Sequence, residues 1–191
     1  TAFHSMARST YSSTNSLRSD ALFRDIGWYH IVVVWDSDNA IATDRIRAWV
    51  NGERITSWRT GNFPGSAGVN SLTNSTVLHT LGAKANVSQY FDGYLAESVL
   101  IDGLALEPTS FGQYDSTGPF WTPLSSATIK GLTFGTNGFY LDNTTNAQTD
   151  ASGEGNNFTN NNTVTLSTHT PTNIEFLMSP INTTDPSDIP V

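Results

Sequence analysis

Phe91-Asp92-Gly93-Tyr94-Leu95-Ala96-Glu97-Ser98-Val99-Leu100-Ile101-Asp102-Gly103 is the stretch whose reading decides the fold. In an extended chain it sets Tyr94, Ala96, Ser98 and Leu100 on one face, and Leu95, Glu97, Val99 and Ile101 on the other. An Asp-Gly pair brackets the run at each end. Asp-Gly supplies the positive φ that tight β-turns require, so the stretch predicts turn, strand, turn.

Working outward, Trp28-Tyr29-His30-Ile31-Val32-Val33-Val34-Trp35 is a β-branched and aromatic run too short for a buried helix. It predicts a central strand, apolar on both faces and in need of cover on both. Asp36-Ser37-Asp38-Asn39 breaks it, and Arg45-Ile46-Arg47-Ala48-Trp49-Val50 alternates again. Asn51-Gly52 is the strongest two-residue hairpin signal, with residues 53–58 returning as the partner strand. Residues 59–75 read as a Gly/Asn/Pro loop and 76–82 as a further strand. Residues 107–112 are the one stretch expected to make a short helical turn.

This divides the chain into four parts. Residues 1–21 are weakly patterned, a loop with at most one edge strand. Residues 22–118 carry the core strands. Residues 119–170 are aromatic islands among Gly and Asn, expected to pack on that core as an extension. Residues 171–191, with prolines at 171, 180, 186 and 190, read as an extended arm or linker. The fold class is all-β, an antiparallel β-sandwich.

Composition narrows the function. The 191 residues suffice for one domain, and the absence of cysteine excludes disulfides, thiolate chemistry and Cys-built zinc sites. A formal charge of −8 argues against nucleic acid and against a polybasic membrane patch. No apolar run approaches the roughly 20 residues needed to span a bilayer. Thr1 is not a start residue and Met6 heads no apolar segment, so the sequence reads as a partial domain of a longer chain.

The order Phe23-Arg24-Asp25, Trp28-Tyr29-His30, Val50-Asn51-Gly52, Phe91 to Glu97, Ile101-Asp102-Gly103, Phe111-Gly112, Gly135 to Leu141 and Asp150 to Asn157 resembles concanavalin A-like (laminin G-like) jelly-roll proteins of tailed bacteriophages. The likeness covers roughly residues 22–173. It implies a non-enzymatic virion surface protein, a tail fibre, tailspike or capsid decoration, in a homo-oligomer among other virion proteins. Such a jelly roll would serve glycan adhesion or subunit cementing. Those domains open with several strands before the Phe-Arg-Asp element, which this sequence does not display. The alternative on the same fold is a glycan-degrading depolymerase.

Glycosidases need two carboxyl groups about 5–9.5 Å apart across a sugar. Asp92, Glu97 and Asp102 are spaced by five, which on one strand splits each pair across the sheet, so no catalytic residue is assigned. Glycan or partner contact falls to aromatic rings outside the core: Trp49, sharing a polar strand face with Arg45 and Arg47, then Trp58, Trp121 and Tyr140. Trp28 and Trp35 are expected in the core, as aromatics dominate sandwich interiors. His30 reads as a satisfied core or sheet histidine. No cofactor is expected. Asp36, Asp38, Asn39 and Asp44 share one loop and are the weak calcium candidate, oxygen ligands suiting Ca²⁺; the resemblance implies a rim site for it.

Overall fold

A computed structural model describes residues 2–8, 14–22, 27–71, 73, 76–83, 90–161, 163–168 and 171. In chain order the strands are β1 (Ala2–Arg8), β2 (Thr14–Leu22), β3 (Ile31–Trp35), β4 (Ile46–Val50), β5 (Glu53–Arg54), β6 (Trp58–Asn62), β7 (Ser98–Leu100), β8 (Gly112–Tyr114), β9 (Trp121–Pro123) and β10 (Phe139–Leu141). Every pairing is antiparallel. The sheets are β1-β2-β6, β3-β4-β5, β10-β7 and β8-β9. The protein is therefore all-β in character, with one short α-helix, α1 (Ser126–Lys130), among the described residues. No helix there is long and apolar enough to cross a membrane. Phe23-Arg24-Asp25 and the arm beyond Pro171 lie outside the described residues.

The Asn51-Gly52 hairpin forms as its residues dictate. Asn51 and Gly52 have φ of 50° and 80°, and β4 returns into β5 with Val50 opposite Glu53. Val32 and Val34 of β3 face the interior with Trp49 of β4, and Phe111 packs against the three. The other face of β3 departs from the reading as a strand covered on both sides. Ile31 and Val33 are each 45% exposed. The strand itself begins only at Ile31, with Trp28, Tyr29 and His30 in irregular backbone ahead of it.

Four other elements differ from the sequence expectation. Residues 1–21 hold β1 and most of β2, and β2 also pairs with β6. Their polar sequence conceals strands because ladder hydrogen bonds belong to the backbone and need no side-chain pattern. The strand expected over 94–101 shortens to β7, because Glu97 takes a left-handed φ of 50° and stops the pleat. Residues 76–82 form no strand; Val77, Leu78 and Leu81 stand exposed. The expected turn at 107–112 is present as a 3-10 turn at Pro108–Ser110. The helix α1 was not foreseen, although Ser125 caps it by accepting from the Thr128 N–H at 3.2 Å.

Residues 119–151 join the core through a second cluster. Ile129, Phe134 and Tyr140 are buried together, with Val99, Ile101, Phe111 and Leu124 packed against them. Phe111 touches both clusters and links them. β10 pairs with β7, so the late segment extends the strand that opened the sequence reading. Asp102 seals the junction: its N–H donates to the Phe134 carbonyl at 2.8 Å, and its carboxylate accepts from the Asn137 side chain at 2.9 Å.

Where ladders run out, Asp150 takes over. Its carboxylate is buried and accepts backbone N–H bonds from Tyr140 (2.8 Å), Ser152 (2.9 Å) and Asn156 (2.9 Å). Asn156 in turn donates to the Thr136 and Gly138 carbonyls at 2.9 and 2.8 Å. Burial pushes the Asp150 carboxyl up, but the bonds from Tyr140, Ser152 and Asn156 outweigh it and hold the group below its ordinary value. A depressed carboxyl stabilises the fold above the unfolded-state pKa, and that contribution disappears as pH falls through the folded value. Asp150→Ala should cost about 2–3 kcal/mol at pH 7, by analogy with other charged hydrogen bonds. Urea melts of wild type and Asp150→Asn should differ most at neutral pH and converge on acidification below the ordinary carboxyl value of 3.8.

Candidate functional site

The Asn51-Gly52 turn does more than reverse the chain. Asn51 binds the segment ahead of β3 twice: its N–H donates to the His30 carbonyl, and its side-chain oxygen accepts from the His30 N–H, both at 2.8 Å. The β8–β9 hairpin sets Tyr114 opposite Trp121. Its loop is closed by the Asp115 N–H on the Phe120 carbonyl at 2.7 Å, and by Thr117 donating twice to the Asp115 carboxylate.

Trp121 joins these pieces. A Cβ on Gly52 or on Gly112 would overlap its ring, so the indole rests on the bare backbone of both glycines. Its Nε1–H donates to Nδ1 of His30 at 3.0 Å, and Tyr114 meets the ring edge-on at 5.1 Å between centroids. Burial lowers the His30 pKa, keeping the imidazole neutral and Nδ1 an acceptor. His30 is thus a satisfied histidine, though it lies just ahead of the strand.

Around this seat opens a cleft of about 600 Å³ lined by Trp28, Tyr114, Phe120 and Trp121, with Asn51 and Glu53 as its polar groups and Gly118 and Pro119 completing the wall. Phe120 is 70% exposed and Trp28 37%. Trp28 also meets Tyr94 at 6.3 Å, which widens the aromatic surface. The Tyr114 hydroxyl donates to the Glu53 carboxylate, and that bond pushes the phenol pKa up, so Tyr114 stays neutral. Flat apolar rings beside a few polar groups suit a ligand with both apolar faces and hydroxyls. Among the described residues lining the cleft, Glu53 is the sole carboxylate.

Of the aromatic residues expected to make contact, only Trp121 lines this cleft. Trp49 is 5% exposed, its ring turned into the core beside Val32 and Val34. The polar strand face expected there is internal. Arg47 is buried, pairing with Asp36 at 3.2 Å and Glu107 at 3.3 Å and donating to the Asp44 carbonyl at 2.8 Å. Arg45 is buried too, donating to the carbonyls of Pro64 (2.7 Å) and Asn39 (2.9 Å). Burial of a guanidinium is tolerable only when its donors are met, and these bonds meet most of them. Tyr140 is fully buried, its hydroxyl pushed up to about 12 by that burial, and it stacks on Phe134. Trp58 is half-buried edge-on to Phe63.

The proposed calcium loop has other commitments. Asp36 accepts from the Asn39 amide at 3.0 Å and from Arg47, which together hold its carboxyl below the usual range against the opposing effect of burial. Asp44 pairs with Arg54, Asn39 accepts from the Ile41 N–H at 3.0 Å, and Asp38 is exposed. Asp36, Asn39 and Asp44 are thus engaged by partners within the fold.

Sequence reasoning missed Trp28, Tyr114, Phe120, Asn51 and Glu53 as site residues. Trp28 stands at the surface, not in the core where it was expected. The one local signal was Tyr114 and Phe120-Trp121 flanking a Gly-Pro turn, an aromatic hairpin tip. No family model matches the chain, and no curated protein or solved structure compared with it matches.

Two outcomes test the seat. Gly52→Ala and Gly68→Ala both place a side chain at left-handed φ, a cost of about 1–2 kcal/mol each. Gly68 has open space around it, whereas Gly52 lies under Trp121, so Gly52→Ala should lower the melting temperature clearly more. An NMR titration of His30 should show a midpoint below the ordinary 6.5. Because the unfolded chain takes up that proton first, stability should fall as pH drops below this value.

Proposed function

We propose that this protein is a non-enzymatic glycan-binding module of a bacteriophage surface, a tail fibre, tailspike or capsid decoration built on a jelly-roll sandwich. The observation that carries the binding reading is the open cleft in which Trp28, Tyr114, Phe120 and Trp121 surround Glu53 and Asn51. Sugar rings lay their C–H faces on aromatic rings while their hydroxyls seek carboxylate and amide oxygens. Both kinds of surface occur together here. The antiparallel pairings and the two core clusters sharing Phe111 are in keeping with the sandwich. The phage setting rests on the motif order from Phe23 to Asn157 alone.

A binding role without hydrolysis is supported by the carboxylates. Two are needed across a glycosidic bond, and Glu53 is the lone one among the described lining residues. Glu97 accepts from Ser126 at 3.1 Å and Asp102 from Asn137, each tying the β7 region to the later segment. A subunit-cementing role is favoured by a separate observation: Ile31 and Val33 expose one face of β3, at the edge of its sheet. Exposed apolar surface on an edge strand suits contact with another virion subunit or a second copy of the chain.

Phe120 is the variant of choice because its ring is exposed and serves no core cluster. Phe120→Ala should weaken binding on a glycan array by roughly tenfold with an unchanged melting curve, as loss of an aromatic anchor does elsewhere. No reducing ends should be released from any bound glycan. Arrays on which no glycan is retained by the wild type, or release of reducing ends that Glu53→Gln abolishes, would overturn the reading.

A further inference from the structure

We infer that the cleft selects uncharged saccharides and turns away acidic ones such as uronate-rich or sulfated polysaccharides; this rests on reading the cleft as a glycan site. The argument begins with its ionisable groups. Glu53 brings a carboxylate, and Tyr114, which donates to it, stays neutral. His30, behind Trp121, is neutral as well, and its Nδ1 is already engaged by the indole. No lysine or arginine is among the lining residues described.

Nearby cations are committed elsewhere. Arg54 follows Glu53 in the chain but stands opposite Trp49, whereas Glu53 stands opposite Val50, so the two occupy different faces of the sheet. Arg54 pairs with Asp44, and Arg47 pairs with Asp36 and Glu107. The whole chain carries a formal −8, so its long-range field also repels polyanions. A uronate or sulfate entering the cleft would meet a like charge with no counter-charge beside it.

Hydrogen-bond supply points the same way. Asn51 spends its side-chain oxygen on the His30 N–H. Glu53 has two oxygens with about four lone-pair sites, and Tyr114 occupies one. The free carboxylate sites match hydroxyl donors on a neutral sugar, and the Asn51 side-chain NH2 can donate to hydroxyl oxygens. An ionised acidic group brings acceptors alone, which the Glu53 carboxylate cannot satisfy.

The test compares the full chain against two sets of oligosaccharides by calorimetry, neutral glucan or dextran fragments and hyaluronan or alginate fragments, at low and high ionic strength. Neutral fragments should bind, and the acidic ones should bind about tenfold or more weakly at low salt. That gap should narrow at high salt and in Glu53→Gln, which removes the charge while keeping the shape. Phe120→Ala should reduce whatever binding is seen, and melting curves should confirm that both variants are folded. Acidic fragments bound as well as neutral ones, in a Phe120-dependent way, would overturn the charge selection and leave the glycan reading standing. Phe120-dependent binding of neither set, or of a proline-rich peptide control alone, would overturn both.

Discussion

Trp121 lying on the bare backbone of Gly52 and Gly112 is the contact on which the rest of this structure depends. It joins a turn at residues 51–52 to a hairpin at 112–123, segments some sixty residues apart in the chain. The Trp121–His30 hydrogen bond adds the segment ahead of β3, which the Asn51 side chain also holds. Three distant stretches are thereby locked to one ring. The lock needs glycine twice for different reasons. Gly52 requires both the positive φ and the absence of a Cβ, whereas for Gly112 the missing Cβ alone decides.

The second constraint is the polar interior of the β3-β4-β5 sheet. β4 is buried along most of its length, on both faces. One face carries Arg47 beside Trp49, with the guanidinium 5.9 Å from the indole centroid. A guanidinium in that position is tolerable because Asp36, Glu107 and the Asp44 carbonyl surround it. The acidic loop after β3 therefore supplies partners for the sheet, Asp36 pairing with Arg47 and Asp44 with Arg54. Asp150 performs the corresponding task in the late segment with main-chain donors in place of a cation.

What the sequence disclosed follows the range of the forces involved. The Asn51-Gly52 turn and the left-handed Gly103 were legible because positive φ is a property of one or two residues. The all-β character was legible from alternation and β-branched runs. Glu97 was not: alternation continues through it in the sequence, yet its left-handed backbone ends the strand early. Arg45 and Arg47 looked like a solvated face because their partners at Pro64, Asp36 and Glu107 are brought in by tertiary folding. The cleft was legible only at Trp121. Tyr114 and Phe120 share the hairpin of Trp121, whereas Trp28, Asn51 and Glu53 come from segments that no local pattern relates to it.

The division of labour among those rings follows from how each is held. Trp121 is half-buried, hydrogen-bonded and fitted over two glycines, so its ring is preorganised before any ligand arrives. Phe120 and Trp28 stand open to solvent at its sides. A fixed floor with open walls loses little conformational freedom on binding at the floor, while the walls still add apolar area. The same residue cannot serve both purposes equally: a change at Trp121 disturbs the three segments it joins, whereas a change at Phe120 touches only the cleft. On the proposed binding reading, the exposed rings at the hairpin tip are where affinity can vary while the fold stays the same.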